Sequence, residues 1–150
     1  MKPVFLSILF ILSQYFSYSQ KRSDIEAVIE KLSGYSEAIS TNPSVKKLIT
    51  HGEKILPILA KKFTNSNPSC VYSKCADRFL TLGEIAVIIA DRIEVMPYFL
   101  LTGMQNCTLD FCLDNPNLIE YYLEFIRFRG MISEFQKRYE EWLASEERKK

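Results

Sequence analysis

The sequence predicts an all-α protein: a compact bundle or repeat-like array of about six or seven short helices. Along most of the chain, apolar residues recur at intervals of three and four, as they do on the buried side of a helix. No segment alternates apolar and polar residues for long enough to predict a strand. Four cysteines in two pairs of equal C-x4-C spacing indicate that disulfides cross-link the helices.

The first 19 residues have the pattern of a secretory signal peptide. Lys2 supplies a positive charge, residues 4–12 form an apolar run, and Ser17 and Ser19 precede a plausible cleavage point. The run is too short to span a bilayer, so we expect no membrane segment after cleavage. The mature chain, residues 20–150, is predicted to be a single helical domain that is secreted or periplasmic. The alternative is a buried N-terminal helix.

The charge balance argues against one class of partner. The chain has 19 Lys and Arg against 18 Asp and Glu residues, and cleavage removes Lys2 and no acid. The mature net charge is then zero, so the basic surface that nucleic acids require is absent. We expect no nucleic-acid partner.

Helices at the N-terminal end are predicted from caps and breakers. Ser23 and Glu26 have capping-box spacing and open a helix over residues 24–39. The Asn-Pro pair at Pro43 opens a second helix, because proline is tolerated in a first turn. Gly52 ends that helix, and an apolar helix follows it.

The segment Leu48–Leu59 reads Leu-Ile-Thr-His-Gly-Glu-Lys-Ile-Leu-Pro-Ile-Leu. It resembles the turn and second helix of HEAT-like repeats, in which a Gly-Glu pair precedes an apolar-Pro-apolar helix. The resemblance covers one unit of about 30 residues with no second copy, whereas repeat arrays need about three. It implies a helical hairpin and protein–protein binding. The chain also resembles small secreted bacterial proteins, which implies no particular function.

A central helix is predicted over residues 81–96, between the two cysteine pairs. Thr81 and Glu84 form a second capping-box pattern, and six apolar residues follow without a break from Ile85. A helix that is apolar around most of its circumference is surrounded by other elements. The preceding residues 71–80 are predicted to be a short helical segment, and Pro97 to end the central helix.

Three further segments complete the predicted bundle. Residues 98–103 are a link, and residues 104–112 a short helix. The Asn-Pro pair at Pro116 opens another helix, which Gly130 ends. A last helix starts at Met131 and places its apolar residues on one side.

The cysteines allow three disulfide connectivities. Cysteines five apart on a regular helix exceed the Cα separation of about 4.4–6.8 Å that a disulfide tolerates. The long-range pairs Cys75–Cys107 and Cys70–Cys112 are therefore preferred, with Cys70 beyond a helix end. Local pairs, Cys70–Cys75 and Cys107–Cys112, stay open for irregular segments. Structural zinc is a rival, since C-x4-C lies within its ligand spacing, but an oxidising compartment favours disulfides, and we expect no metal.

Few residues suggest catalysis. His51, the only histidine, lies at a predicted helix end, where contact with free carbonyls is an ordinary role. Carboxylates at Glu84 and Asp91 lie seven apart, on one side of the central helix, and burial would raise their pKa values. The structural alternative is that Glu84 completes the capping box while Asp91 pairs with an arginine such as Arg78 or Arg92. We expect no catalytic residue and no cofactor.

Aromatic residues near the C-terminus suggest a binding surface. Tyr121, Phe125 and Phe128 lie partly off the apolar stripe of their helix. An exposed patch of this kind would mark a docking site. The alternative is that the three rings pack on the N-terminal helices.

These observations favour a non-enzymatic helical interaction module with a protein partner, for example an inhibitor or immunity-type protein. Two alternatives belong to other classes. One is a small hydrolase that uses Glu84 and Asp91, and the other is a carrier that encloses an apolar ligand. The sequence identifies neither the partner nor the oligomeric state.

Overall fold

The computed structural model describes residues 22–105, 115–128, 130–146 and 148. The predicted signal peptide and the two cysteines Cys107 and Cys112 lie outside the described residues. Most of the helix predicted over residues 104–112 lies outside them too. The described chain combines helices with a three-stranded sheet, so the prediction of an all-α bundle is wrong.

The sheet consists of β1 (Ser33–Tyr35), β2 (Pro68–Ser73) and β3 (Arg78–Thr81), in the order β1-β2-β3. Strand β1 runs parallel to β2, with Tyr35 opposite Tyr72. Strands β2 and β3 form an antiparallel hairpin in which Tyr72 lies opposite Phe79. The sheet therefore joins a segment near the start of the mature chain to the middle of the sequence.

Two segments predicted to be helical supply these strands. The first helix, α1, covers residues 22–30 instead of 24–39, and residues 71–80 belong to the β2–β3 hairpin. In β1, Gly34 has a φ of 101°, which a helix cannot accommodate and which glycine adopts without strain. The strands are only three, six and four residues long, so their alternation is too brief to distinguish from a helix pattern.

The helices after β1 are short. A 3₁₀ helix, Ser36–Thr41, leads to α2 (Pro43–Ile49), and a second 3₁₀ helix, Gly52–Ile55, leads to α3 (Leu56–Ala60). As predicted, Pro43 opens α2, and the Asn42 side chain accepts hydrogen bonds from two of its backbone N–H groups. The predicted capping box at Ser23 is not formed: Ser23 lies inside α1, and Glu26 accepts hydrogen bonds from Arg22 and Lys62.

The central helix, α4 (Leu82–Ile93), confirms the prediction of a buried helix. Residues 82–91 are all buried. The capping box forms as predicted, because Thr81 Oγ1 accepts from the Glu84 N–H at 3.1 Å and the Glu84 carboxylate accepts from the Thr81 N–H at 2.7 Å. The helix ends at Ile93, three residues before Met96. The Met96 N–H donates a hydrogen bond to the Asp91 carboxylate at 2.9 Å. Pro97 is therefore not the residue that ends it.

The C-terminal part adds α5 (Tyr98–Thr102), α6 (Glu120–Phe128) and α7 (Ile132–Ala144). Helix α5 replaces the predicted link over residues 98–103. An aromatic cluster joins α7 to the chain after α3, since the Phe63 ring centroid lies 5.8 Å from that of Phe135 and 5.1 Å from that of Tyr139. These buried rings confirm that the apolar side of α7 faces the core.

The predicted disulfide scheme needs correction. Among the described residues no disulfide joins two cysteines, and Cys70 is an exposed free thiol, so the predicted Cys70–Cys112 bridge is wrong. Cys70 lies within the central strand β2, opposite Ser33 of β1, rather than beyond a helix end, and its thiol is exposed. The other predicted pair, Cys75–Cys107, includes a cysteine that lies outside the described residues.

None of the described helices is both long and apolar enough to cross a bilayer.

Candidate functional site

Three aromatic side chains form a row across the solvent side of the sheet. Tyr35 is 54% exposed and Phe79 is 58% exposed, with the partly buried Tyr72 between them in register. Ring centroids are 6.4 Å apart for Tyr35–Tyr72 and 5.4 Å apart for Tyr72–Phe79, and both pairs meet edge to face. We call Tyr35, Tyr72 and Phe79 the aromatic face.

Polar groups fix the rim of the aromatic face. Lys74 Nζ lies 4.3 Å from the Tyr35 ring centroid and 3.7 Å from Glu37 Oε1. The Tyr72 hydroxyl donates to Asp77, and this hydrogen bond raises the pKa of Tyr72, which keeps the phenol neutral. The row is thus a neutral aromatic surface whose rim carries one cation, Lys74, and two carboxylates, Glu37 and Asp77.

Sequence reasoning missed the aromatic face because its three residues belong to different strands. In β2, Tyr72 points to solvent while its neighbours Val71 and Ser73 are buried, and in β3 Phe79 is exposed while Leu80 is buried. This in–out alternation is the available signal. It indicates a hairpin once the turn at Asp77, which has a φ of 51°, is recognised.

A second feature is an open cleft of about 130 Å³ beside the start of α4. Its floor is apolar and consists of Phe63, Leu123 and Ile132. Its polar lining comes from residues 64–66 and three further side chains, Thr81, Glu84 and Arg127. Small-molecule sites usually have about 300–1,000 Å³, so the cleft matches a side chain better than a cofactor.

The loop that lines the cleft is held directly against the backbone of α4. The Gly83 N–H donates to the Asn65 carbonyl at 3.0 Å, and the Leu82 N–H donates to the Asn67 carbonyl at 2.9 Å. A Cβ atom at Gly83 would overlap the Phe63 carbonyl oxygen. The glycine therefore permits a close backbone approach that gives the cleft its shape.

Glu84 is the buried carboxylate of an ion-pair network that also contains Arg78 and Glu124. Arg78 donates to both of its carboxylate oxygens, at 2.7 and 2.8 Å, and also to Glu124 at 2.6 Å. Glu84 is buried, whereas the Glu124 side chain is about half exposed. With the Thr81 N–H bond added, the Glu84 carboxylate is committed to structural contacts.

Asp91 has different partners from those proposed for it. Its carboxylate accepts from the Met96 N–H and from the Tyr98 hydroxyl at 3.0 Å, and no ion pair with Arg78 or Arg92 occurs among the described residues. Arg92 instead donates to Asn117 Oδ1 at 2.9 and 3.1 Å. Burial raises the pKa of Asp91, although these hydrogen bonds act in the opposite direction.

A further buried carboxylate was not singled out from the sequence. Glu120, at the start of α6, accepts hydrogen bonds at Oε1 from the hydroxyls of Ser36 and Ser73. Its second oxygen is buried without a hydrogen-bond partner among the described residues. The two serines lie 84 and 47 residues away in the sequence, so no local pattern reveals this contact. The cluster ties the 3₁₀ helix that follows β1, and strand β2, to α6.

The predicted patch on α6 is not where the exposed rings lie. Tyr121 and Phe125 are partly buried, Tyr122 is fully buried, and the Phe128 side chain lies outside the described part. His51 is exposed in the turn between α2 and the following 3₁₀ helix, where it joins neither the cleft nor the aromatic face.

Comparison with protein-family models, curated proteins and solved structures finds no match for this chain. Within the described ranges, no group of three or more histidine, cysteine, aspartate or glutamate side chains is placed to hold a metal ion. The aromatic face and the cleft are therefore the features from which a function can be inferred.

Proposed function

We propose that the protein is a non-enzymatic interaction module that docks a partner protein on the aromatic face. The predicted signal peptide supports a location in the periplasm or outside the cell. An inhibitor or immunity-type protein is one concrete form of such a module.

The exposure of Tyr35 and Phe79 is the observation that carries the proposal. A tyrosine ring supplies large contact area with few rotatable bonds, and aromatic residues are enriched at the energetic centres of interfaces. Here strand pairing and edge-to-face contacts already hold the rings in place. Little conformational entropy is then lost when a partner covers them.

A second group of exposed apolar residues consists of Phe99 and Leu100 on α5 and Val95 just before it. It contains one aromatic ring and belongs to no sheet, so it lacks the ordered row that supports the aromatic face. Phe99 is 62% exposed, which makes it a suitable control residue.

The two other functional classes have less support. A hydrolase would need a free carboxylate at Glu84 or Asp91, and both accept hydrogen bonds within the fold. A carrier would need an enclosed cavity, and the cleft beside α4 is open and small.

The test is a pull-down with immobilised mature chain from the secreted or periplasmic fraction. We expect the double variant Tyr35→Ser, Phe79→Ser to bind the captured partner at least about 30-fold more weakly, as for hot-spot residues. Phe99→Ser is the matched control and should bind like the wild type. Retained binding by the double variant, or equal loss in Phe99→Ser, would contradict the proposal.

A further inference from the structure

The cleft beside α4 has an apolar floor and one unbalanced charge. The floor residues Phe63 and Leu123 are buried in the core, and Ile132 is partly exposed. A cleft of about 130 Å³ leaves room for one apolar side chain from another molecule, not for a whole cofactor.

Arg127 provides the unbalanced charge. The other ionised group that lines the cleft, Glu84, is neutralised by the bidentate contact with Arg78. Glu124, one turn before Arg127 on α6, is also engaged by Arg78. Arg127 is exposed and forms no ion pair with any residue that the structure describes. A guanidinium in this position favours a carboxylate ligand.

The cleft is adjacent in sequence and structure to the aromatic face. Thr81 lines it and lies two residues after Phe79 in β3, so the cleft begins at the α4 end of the strand that carries Phe79. A peptide segment that crosses the aromatic face along β3 is therefore directed toward Arg127.

We propose that the cleft binds a two-residue anchor of the protein partner, namely an apolar residue followed by an aspartate or glutamate. The apolar side chain covers the floor formed by Phe63, Leu123 and Ile132, and the carboxylate pairs with Arg127. This inference rests on the proposed function, since it specifies the partner's chemistry at the edge of the same surface.

The test uses a hexapeptide with both termini blocked that contains leucine followed by aspartate. Titration into the ¹⁵N-labelled mature chain should shift the amide signals of residues 64–66 and the Arg127 Nε–H signal. We expect the asparagine version of the peptide to bind at least about tenfold more weakly, which corresponds to about 1.4 kcal/mol. A glycine–aspartate version should also bind more weakly, because it leaves the apolar floor uncovered.

Variants of the protein separate the charge from general effects. Arg127→Ala should lose the preference for aspartate over asparagine, and Arg127→Lys should retain part of it. Lys47→Glu is the matched control: it changes an exposed cation on α2 that forms no ion pair within the described part of the chain, and should leave the preference unchanged. These substitutions lie on exposed helix positions and should leave the far-UV circular dichroism spectrum unaltered.

The inference is overturned if no peptide shifts these signals, if aspartate and asparagine peptides bind equally, or if Arg127→Ala keeps the preference. Binding that requires a free C-terminal carboxylate also overturns it, since the anchor would then be a chain end. The proposed function fails separately, when the Tyr35→Ser, Phe79→Ser variant retains its partner. The two results are therefore distinguishable.

Discussion

Gly83→Ala is expected to destabilise the protein, although the same change usually stabilises a helix. Alanine is favoured over glycine in a helix interior by about 1 kcal/mol, which is an upper limit for Gly83 because it is the second residue of α4. At this position, however, the added Cβ would overlap the Phe63 carbonyl oxygen and lie 2.8 and 2.9 Å from the carbonyl oxygens of Asn65 and Lys62. All three obstacles are backbone atoms, which cannot rotate aside as a side chain can.

The magnitude follows from what must move. Overpacking a tight contact costs about 1–3 kcal/mol. Displacing the loop also weakens the bonds from Gly83 and Leu82 to the loop carbonyls, at about 1 kcal/mol each. After subtraction of the helix-propensity gain, we expect a net loss of about 2–4 kcal/mol in the free energy of unfolding.

Urea denaturation followed by circular dichroism measures this loss as a lower midpoint at unchanged slope. Gly52→Ala is the control, because its φ is 61° but no atom lies within 4 Å of the added Cβ. That variant should lose about 1 kcal/mol from backbone strain alone. If Gly83→Ala were as stable as the wild type, the close approach of the loop to α4 would be refuted.

The remaining predictions concern the buried charges. Arg78→Met should lower the free energy of unfolding by about 3–5 kcal/mol, because it leaves Glu84 buried without its cation. Glu124→Gln should lower it by less than about 1 kcal/mol, because Glu124 is about half exposed, and urea denaturation measures both changes. Asp91→Asn keeps an acceptor for Met96 but removes a charge whose pKa burial raises. Just above the ordinary carboxyl pKa, the folded wild type binds more protons than the unfolded chain. The free energy of unfolding of the wild type, relative to that of Asp91→Asn, should therefore fall as pH rises through that window. Parallel pH profiles of the two proteins would contradict this.

The site could be predicted only in part. Glu84 was identified correctly as a capping residue, because Thr81 and Glu84 are separated by the spacing that the motif requires. Its ion pair with Arg78 was not assigned, since that contact depends on how β3 precedes α4. The sequence predicts exposed aromatic rings on α6, because helical periodicity leaves Tyr121 and Phe125 off the main stripe.

What the sequence determined by itself is the set of features that local interactions decide. The capping box at Thr81, the proline that opens α2 and the unbroken apolar run of α4 involve residues within a few positions of each other. Their energies do not require the rest of the fold, so pattern reasoning reaches them.

The tertiary structure alone decided the sheet and the surfaces built on it. Strand β1 pairs with β2 through residues such as Tyr35 and Tyr72, which are far apart in sequence, and so short a strand gains stability only once that partner is present. The aromatic face and the cleft arise from such non-local pairing. For this reason the proposed binding surface was invisible in the sequence, whereas the buried central helix was not.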